Sequence, residues 1–87
     1  MTWAKRVDRN HSEMVDTLQR LGWVVIDTSR LPAFVDLVCA RAGQLELVEV
    51  KDRKGGLTVA QQALHAILQA QGITVKVLRT REDAIAL

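Results

Sequence analysis

The chain has 87 residues, a formal net charge of +2 and a pI near 9.1. That length suits one domain, 1–87, whose small core often gains stability from pairing with another chain. A single cysteine, Cys39, excludes an internal disulfide and a thiolate zinc cluster. No run approaches the roughly 20 apolar residues of a membrane span or forms a signal-peptide core, so a soluble, intracellular protein is expected.

Residues 1–8 read as a flexible basic segment, in which Lys5 and Arg6 join Arg9 in a positive cluster. A first helix is predicted from Asn10 to Leu21, with Met14, Val15, Leu18 and Leu21 as its apolar stripe and Gly22 as its stop. Asn10-His11-Ser12-Glu13 fits a capping box, with Asn10 as cap and Glu13 reaching back. Trp23 to Asp27 reads as a strand, which places Trp23 in the core. Thr28 to Ala33, with Pro32, reads as a loop. Phe34 to Cys39 is the second predicted strand, Ala42-Gly43-Gln44 a turn, and Leu45 to Lys51 the third strand, so strands two and three form a hairpin. Arg53, Lys54, Gly55 and Gly56 make a basic loop. Thr58 caps a second helix that runs to Gln71, before Gly72. Thr74 to Leu78 is the fourth strand and Thr80 to Leu87 a short closing helix. A strand, a helix and another strand after a hairpin require a crossover. The sum is an α/β domain with a mixed sheet flanked by helices.

The charges inside apolar strands carry the chemistry. Side chains alternate faces along a strand, so Glu49 and Lys51 share one face with Leu45 and Leu47. Asp36 on the neighbouring strand comes opposite Glu49 if the register allows. Burying such charges is costly unless something compensates. Two converging carboxylates suit Mg²⁺ or Mn²⁺, which prefer oxygen ligands and retain waters. Such an ion activates water against a phosphodiester, and Lys51 can orient that water or neutralise developing charge. The plainer alternative is an ion pair of Lys51 with Asp36 or Glu49.

Glu13 is either part of the cap or a third acid beside the metal. Helical geometry puts Gln61 on the border of the second helix's apolar stripe, able to reach the sheet face or to cap backbone. His65 stands one turn further along the same flank. The basic clusters Lys5, Arg6, Arg9 and Arg53, Lys54 around an acidic centre fit a phosphate-backbone binder.

With these residues in place the pattern resembles the PD-(D/E)XK nuclease superfamily, whose core runs α-β-β-β-α-β in a restriction-endonuclease-like domain. Within it the chain is most similar to the virus-type replication-repair nuclease (VRR-NUC) family in its short stand-alone phage or prophage form. The likeness rests on Asp8 to Glu13 before an apolar helix, on Asp36 in Val35-Asp36-Leu37-Val38, and on Glu49-Val50-Lys51-Asp52. It continues in Leu57-Thr58-Val59-Ala60-Gln61 with His65, and in Val75 to Thr80 followed by Glu82-Asp83-Ala84. Ala33-Phe34-Val35 stands where the family often has Gly-Val-Pro, and the loop after the E-x-K strand is short.

The resemblance implies Asp36, Glu49 and the Val50 carbonyl as metal ligands. It implies Lys51 as the catalytic lysine, Gln61 as a supporting residue and Glu13 as a helix-borne acid near the metal. It further implies a homodimeric, structure-selective Mg²⁺ or Mn²⁺ endonuclease acting on branched DNA such as four-way (Holliday) junctions, in the cytoplasm of a bacterial host. Two rival readings stand beside it. One is a nucleic-acid binding module with the fold but no cleavage. The other is a partner-binding α/β domain with a fortuitous E-x-K.

Overall fold

A computed structural model describes residues 9–87; Lys5 and Arg6 lie outside them. Helix α1 spans Arg9–Arg20. Met14 and Leu18, one turn apart, are buried, and Val15 and Leu21 pack beside them. The helix closes on Gly22, whose φ of 93° is left-handed. The Gly22 N–H donates to the Gln19 carbonyl and the Trp23 N–H to that of Leu18, both at 3.0 Å. This is a Schellman closure, and its accompanying apolar contact is present because Leu18 and Trp23 enter the same core. Arg41 secures the corner, donating to the Leu21 carbonyl at 2.8 Å and stacking over the Trp23 ring.

The expected Asn10–Glu13 capping box does not form. Arg9 is already helical, so Asn10 lies inside the first turn. Its side-chain amide instead donates to the Lys51 carbonyl at 2.7 Å, tying α1 to the sheet. Glu13 is exposed.

The sheet holds β1 (Val24–Asp27), β2 (Leu37–Arg41), β3 (Gln44–Val50) and β4 (Lys76–Leu78) in the order β1-β2-β3-β4. The first two pairings are antiparallel, and β3–β4 is parallel. Helix α2 (Val59–Ala70) makes the crossover, and α3 (Arg81–Ala86) follows β4. The architecture is therefore a mixed α/β domain. Thr58 and Thr80 cap α2 and α3, each within a capping box.

Strand β2 starts three residues later than expected and runs two further. The backbone turns left-handed at Ala33, in the loop just before, and Thr28 holds the residues that follow. Phe34 to Asp36 thus form a pinned bend. The Thr28 hydroxyl donates to the Val35 carbonyl at 2.7 Å, the Thr28 N–H to the Asp36 carbonyl at 2.9 Å, and the Asp36 N–H to the Val48 carbonyl at 3.1 Å. Strand β3 likewise runs one residue earlier than expected at both ends, and β4 starts two residues late.

The β2–β3 hairpin turns through Ala42 and Gly43, with φ of 51° and 82°. Two successive left-handed residues define a type I′ turn, in which Asn-Gly is the favoured pair. Alanine carries a steric cost there that asparagine largely avoids. Ala42→Asn is therefore expected to raise stability by about 1 kcal/mol, read as a higher denaturant midpoint with an unchanged slope.

The core occupies one face of the sheet. Leu37, Cys39, Val48, Val50 and Leu78 pack there against Met14 and Leu18 of α1 and Ala84 of α3. Cys39 behaves as the expected small core residue: burial pushes its thiol up to about 11, and the charge of Glu46 adds to the rise. The other face carries Glu49, and α2 lies over that acid. No helix among the described residues is long and apolar enough to cross a membrane.

Candidate acidic site

Alternation along β3 sends Val48 and Val50 into the core, so Glu49 points to the opposite face. It is fully buried there. Two side chains of α2, one turn apart, close over it. The Gln61 amide donates to Oε1 at 3.4 Å, and His65 Nε2 lies 3.2 Å from Oε2. Gln61 serves two elements at once, since its Oε1 also accepts the Thr58 N–H at 2.9 Å in the capping box. Both roles foreseen for a border residue are thus filled by one amide. Gln61→Ala is expected to cost about 1 kcal/mol through loss of the box, measured by thermal unfolding.

Asp36 lies in the bend before β2 rather than within the strand, yet it still reaches Glu49. The ladder pairs Leu37 with Val48, and one step further brings the two acids side by side. Asp36 Oδ2 accepts the Val50 N–H at 2.9 Å, which fixes the carboxylate at the strand end. Burial raises the Glu49 carboxyl above its ordinary range. The His65 hydrogen bond opposes that rise, and the charge and hydrogen bond of Asp36 reinforce it. Asp36 and Gln61 also line a cleft of about 280 Å³ between the 31–34 loop and the start of α2. Asp36 of the acidic pair therefore borders a space a ligand can enter, while Glu49 lies buried behind it.

Lys51 follows β3 directly. Its N–H donates to the Leu78 carbonyl at 3.0 Å and its carbonyl accepts from Asn10, so its backbone is held from both sides. Alternation carried one residue past the end of β3 would put its side chain on the side of Glu49. Among the described residues Lys51 forms no ion pair with Asp36 or Glu49. The ion-pair alternative is not what the structure contains. The cation that can meet Glu49 within the described residues is His65, and only when protonated.

Glu13 is not brought to this pair. It lines a separate groove between α1 and α3 with Asp16, Thr17 and Arg81. Among the described residues no three histidine, cysteine or acidic side chains converge to hold a metal. Two carboxylates do converge, and that set is compatible with Mg²⁺, which is commonly held by one or two carboxylates with waters and phosphate oxygens completing its shell. A hard, all-oxygen pair, with one carboxylate buried against the other, fits a divalent cation on chemical grounds. The residues that would hold it are Asp36 and Glu49, with the Val50 carbonyl adjacent in sequence.

Arg53 and Lys54 are exposed in the loop after β3. With Asn10, Asp52 and Arg79 they line a cleft of about 370 Å³. Arg79 donates to the Asp52 carbonyl at 3.0 Å and to that of Gly55, holding the loop in shape. Arg9 is exposed at the start of α1. His65 and Arg79 line these sites without standing out as candidates in the sequence. The signal for His65 was its place four residues beyond Gln61; Arg79 offers only a basic cluster with Lys76 and Arg81 near the C-terminus.

Neither a family model nor a curated protein matches the chain.

Proposed function

We propose that this protein is a Mg²⁺- or Mn²⁺-dependent endonuclease that hydrolyses phosphodiester bonds of branched DNA, four-way junctions among them, as a homodimer. The observation that carries this reading is the contact of Asp36 with the buried Glu49, with Lys51 two residues further along the chain. The sequence resemblance to the VRR-NUC family supports it and is the source of the substrate and of the two-site dimer.

A bound divalent cation would polarise a phosphoryl oxygen and lower the pKa of a water. The chain's own residues do the rest. Asp36, braced by the Val50 N–H, and Glu49, braced by Gln61 and His65, present oxygen donors in fixed positions. Lys51, with its backbone clamped between Leu78 and Asn10, offers a positive charge to the negative charge that develops on the oxygens of the attacked phosphate. Arg53 and Lys54 hold the backbone of the nucleic acid beside the site, as point charges without base readout.

The test is a cleavage panel on labelled four-way junction, flap, nicked and plain duplex DNA, with Mg²⁺, with Mn²⁺ and with EDTA. Metal-dependent incision of branched substrates is expected. Salt-dependent binding that persists in EDTA, with no incision under any metal, would replace the reading with a binding module built on the Arg53–Lys54–Arg79 cleft.

A further inference from the structure

The cleft beside Asp36 is lined by more than the acidic site uses. Asp36 and Gln61 belong to that site. Leu31, Pro32 and Phe34, from the loop before β2, line the cleft as well. Leu31 is 55 % exposed and Phe34 37 %. Apolar side chains on a free loop can turn away from water, but this loop is held. The Leu31 N–H donates to the Thr28 carbonyl at 3.0 Å, and Thr28 ties down Val35 and Asp36 in turn. The Ser29 N–H and hydroxyl both donate to the Asp27 carboxylate, at 2.9 and 2.6 Å. The apolar lining is therefore formed before a ligand arrives, as small-ligand sites commonly are.

Phe34 has no rival for this position. Among the described residues the other large aromatic is Trp23, which is buried with Arg41 over its ring. Phe34 is thus the large ring a ligand can reach. The rest of the lining is polar without being basic. Ser29 and Thr58 bring hydroxyls, and the Gln61 amide, which gives one N–H to Glu49, carries a second. Among the described residues no lysine or arginine lines this cleft; Arg53, Lys54 and Arg79 line another.

These features select one part of a DNA strand. A phosphate needs positive charge, and this lining has none. A nucleobase is flat, apolar on its faces and polar at its edge, which matches a ring bordered by hydroxyls and an amide. A cleft of about 280 Å³ is at the low end for small-ligand sites, suited to one base and not to a base pair. A base inside a duplex is stacked on both faces and paired at its edge, so it cannot enter. A base that is already unpaired enters at the least cost.

We propose that the cleft between the 31–34 loop and α2 is a subsite for one unpaired nucleobase, stacked on Phe34, beside the phosphate at Asp36. The proposal rests on the nuclease reading for the placement of that phosphate. It gives branch selectivity a source in this chain's own residues. A strand that offers an unpaired base next to the acids is engaged, and a continuous duplex is not. Phe34 is then a residue that sets specificity, with no part in the chemical step.

The test uses flap DNA in which 2-aminopurine steps through the nucleotides at the branch, bound to the full chain in EDTA so that nothing is cleaved. Stacking should quench its fluorescence at one position. Phe34→Leu should abolish the quenching and weaken flap binding by about tenfold, the size of one lost base–aromatic stack. Phe34→Trp should retain both, and plain duplex should bind all three proteins alike. An abasic site at the quenched position should weaken binding of the unmodified protein by a similar factor and add nothing to Phe34→Leu. That arm alters only the DNA, so it stands even where a variant fails to fold. Absence of quenching at every position overturns the proposal, as does an abasic series bound uniformly or quenching that Phe34→Leu leaves intact. Metal-dependent cleavage with a uniform abasic series removes this subsite and leaves the nuclease reading standing. Quenching that depends on Phe34, with no cleavage under any metal, supports the subsite and removes the nuclease reading alone.

Discussion

Replacing Lys51 by alanine is expected to lower the rate of branched-DNA cleavage by roughly two to three orders of magnitude, the usual cost of removing one preorganised charge stabiliser. The melting temperature should move little, because Lys51 is half-exposed and pairs with neither acid among the described residues. Its structural contacts run through its backbone N–H and carbonyl, which alanine keeps. Binding of uncleaved junction in EDTA should also survive. The contrasting variant is Arg53→Ala with Lys54→Ala. Those side chains are exposed loop charges, so removing them should weaken binding and lower the salt slope by about one for each phosphate they neutralise. If Lys51→Ala cleaves at the original rate, the catalytic role assigned to it is wrong. If it instead unfolds, the lysine is a structural residue after all.

Local geometry was legible in the sequence, and tertiary geometry was legible only where a local rule happened to fix it. Alternation is a property of the strand alone, so Glu49 could be placed on the face opposite Val48 and Val50 from three residues. Whether Asp36 meets it depends on register, and register was set elsewhere, by a two-residue turn at Ala42 and Gly43. The strand containing Asp36 was expected too early because β-rich composition does not reveal that Thr28 ties Val35 and Asp36 into a bend. The acid still arrives, held by the Val50 N–H rather than by strand geometry. Gln61 was legible because helical phase put it at the border of the stripe. His65 shared that phase, but its partner was fixed only once the crossover laid α2 over β3. The capping box at Asn10 failed for a similar reason: a short amide serves the helix end or a distant carbonyl, and the tertiary contact to Lys51 took it.

Glu49→Gln should separate the metal reading from a structural one, because it is expected to raise the stability of the metal-free protein while abolishing cleavage. Glu49 is fully buried, and burial together with the neighbouring Asp36 disfavours its charge. A glutamine has nearly the same shape. Its amide can donate to Asp36, turning a contact between two acids into an ordinary charge-assisted hydrogen bond worth about 1.5–3 kcal/mol, and it keeps an oxygen toward Gln61 or His65. A gain of about 2 kcal/mol is therefore expected in EDTA. Mg²⁺ should act differently on the two proteins. In the parent chain an ion bound by Asp36 and Glu49 stabilises the folded state by about 2.7 kcal/mol at a hundredfold excess over its dissociation constant. In the variant half the donor pair is gone, and the melting temperature should scarcely respond. Thermal unfolding of both proteins across a Mg²⁺ titration measures all of these effects in one series. A variant less stable than the parent in EDTA would make Glu49 a structural anchor for α2 through Gln61 and His65. An equal Mg²⁺ response in both would place any ion elsewhere. The predicted crossing, with the variant more stable without metal and the parent gaining with it, is what a buried acidic pair built for a cation requires.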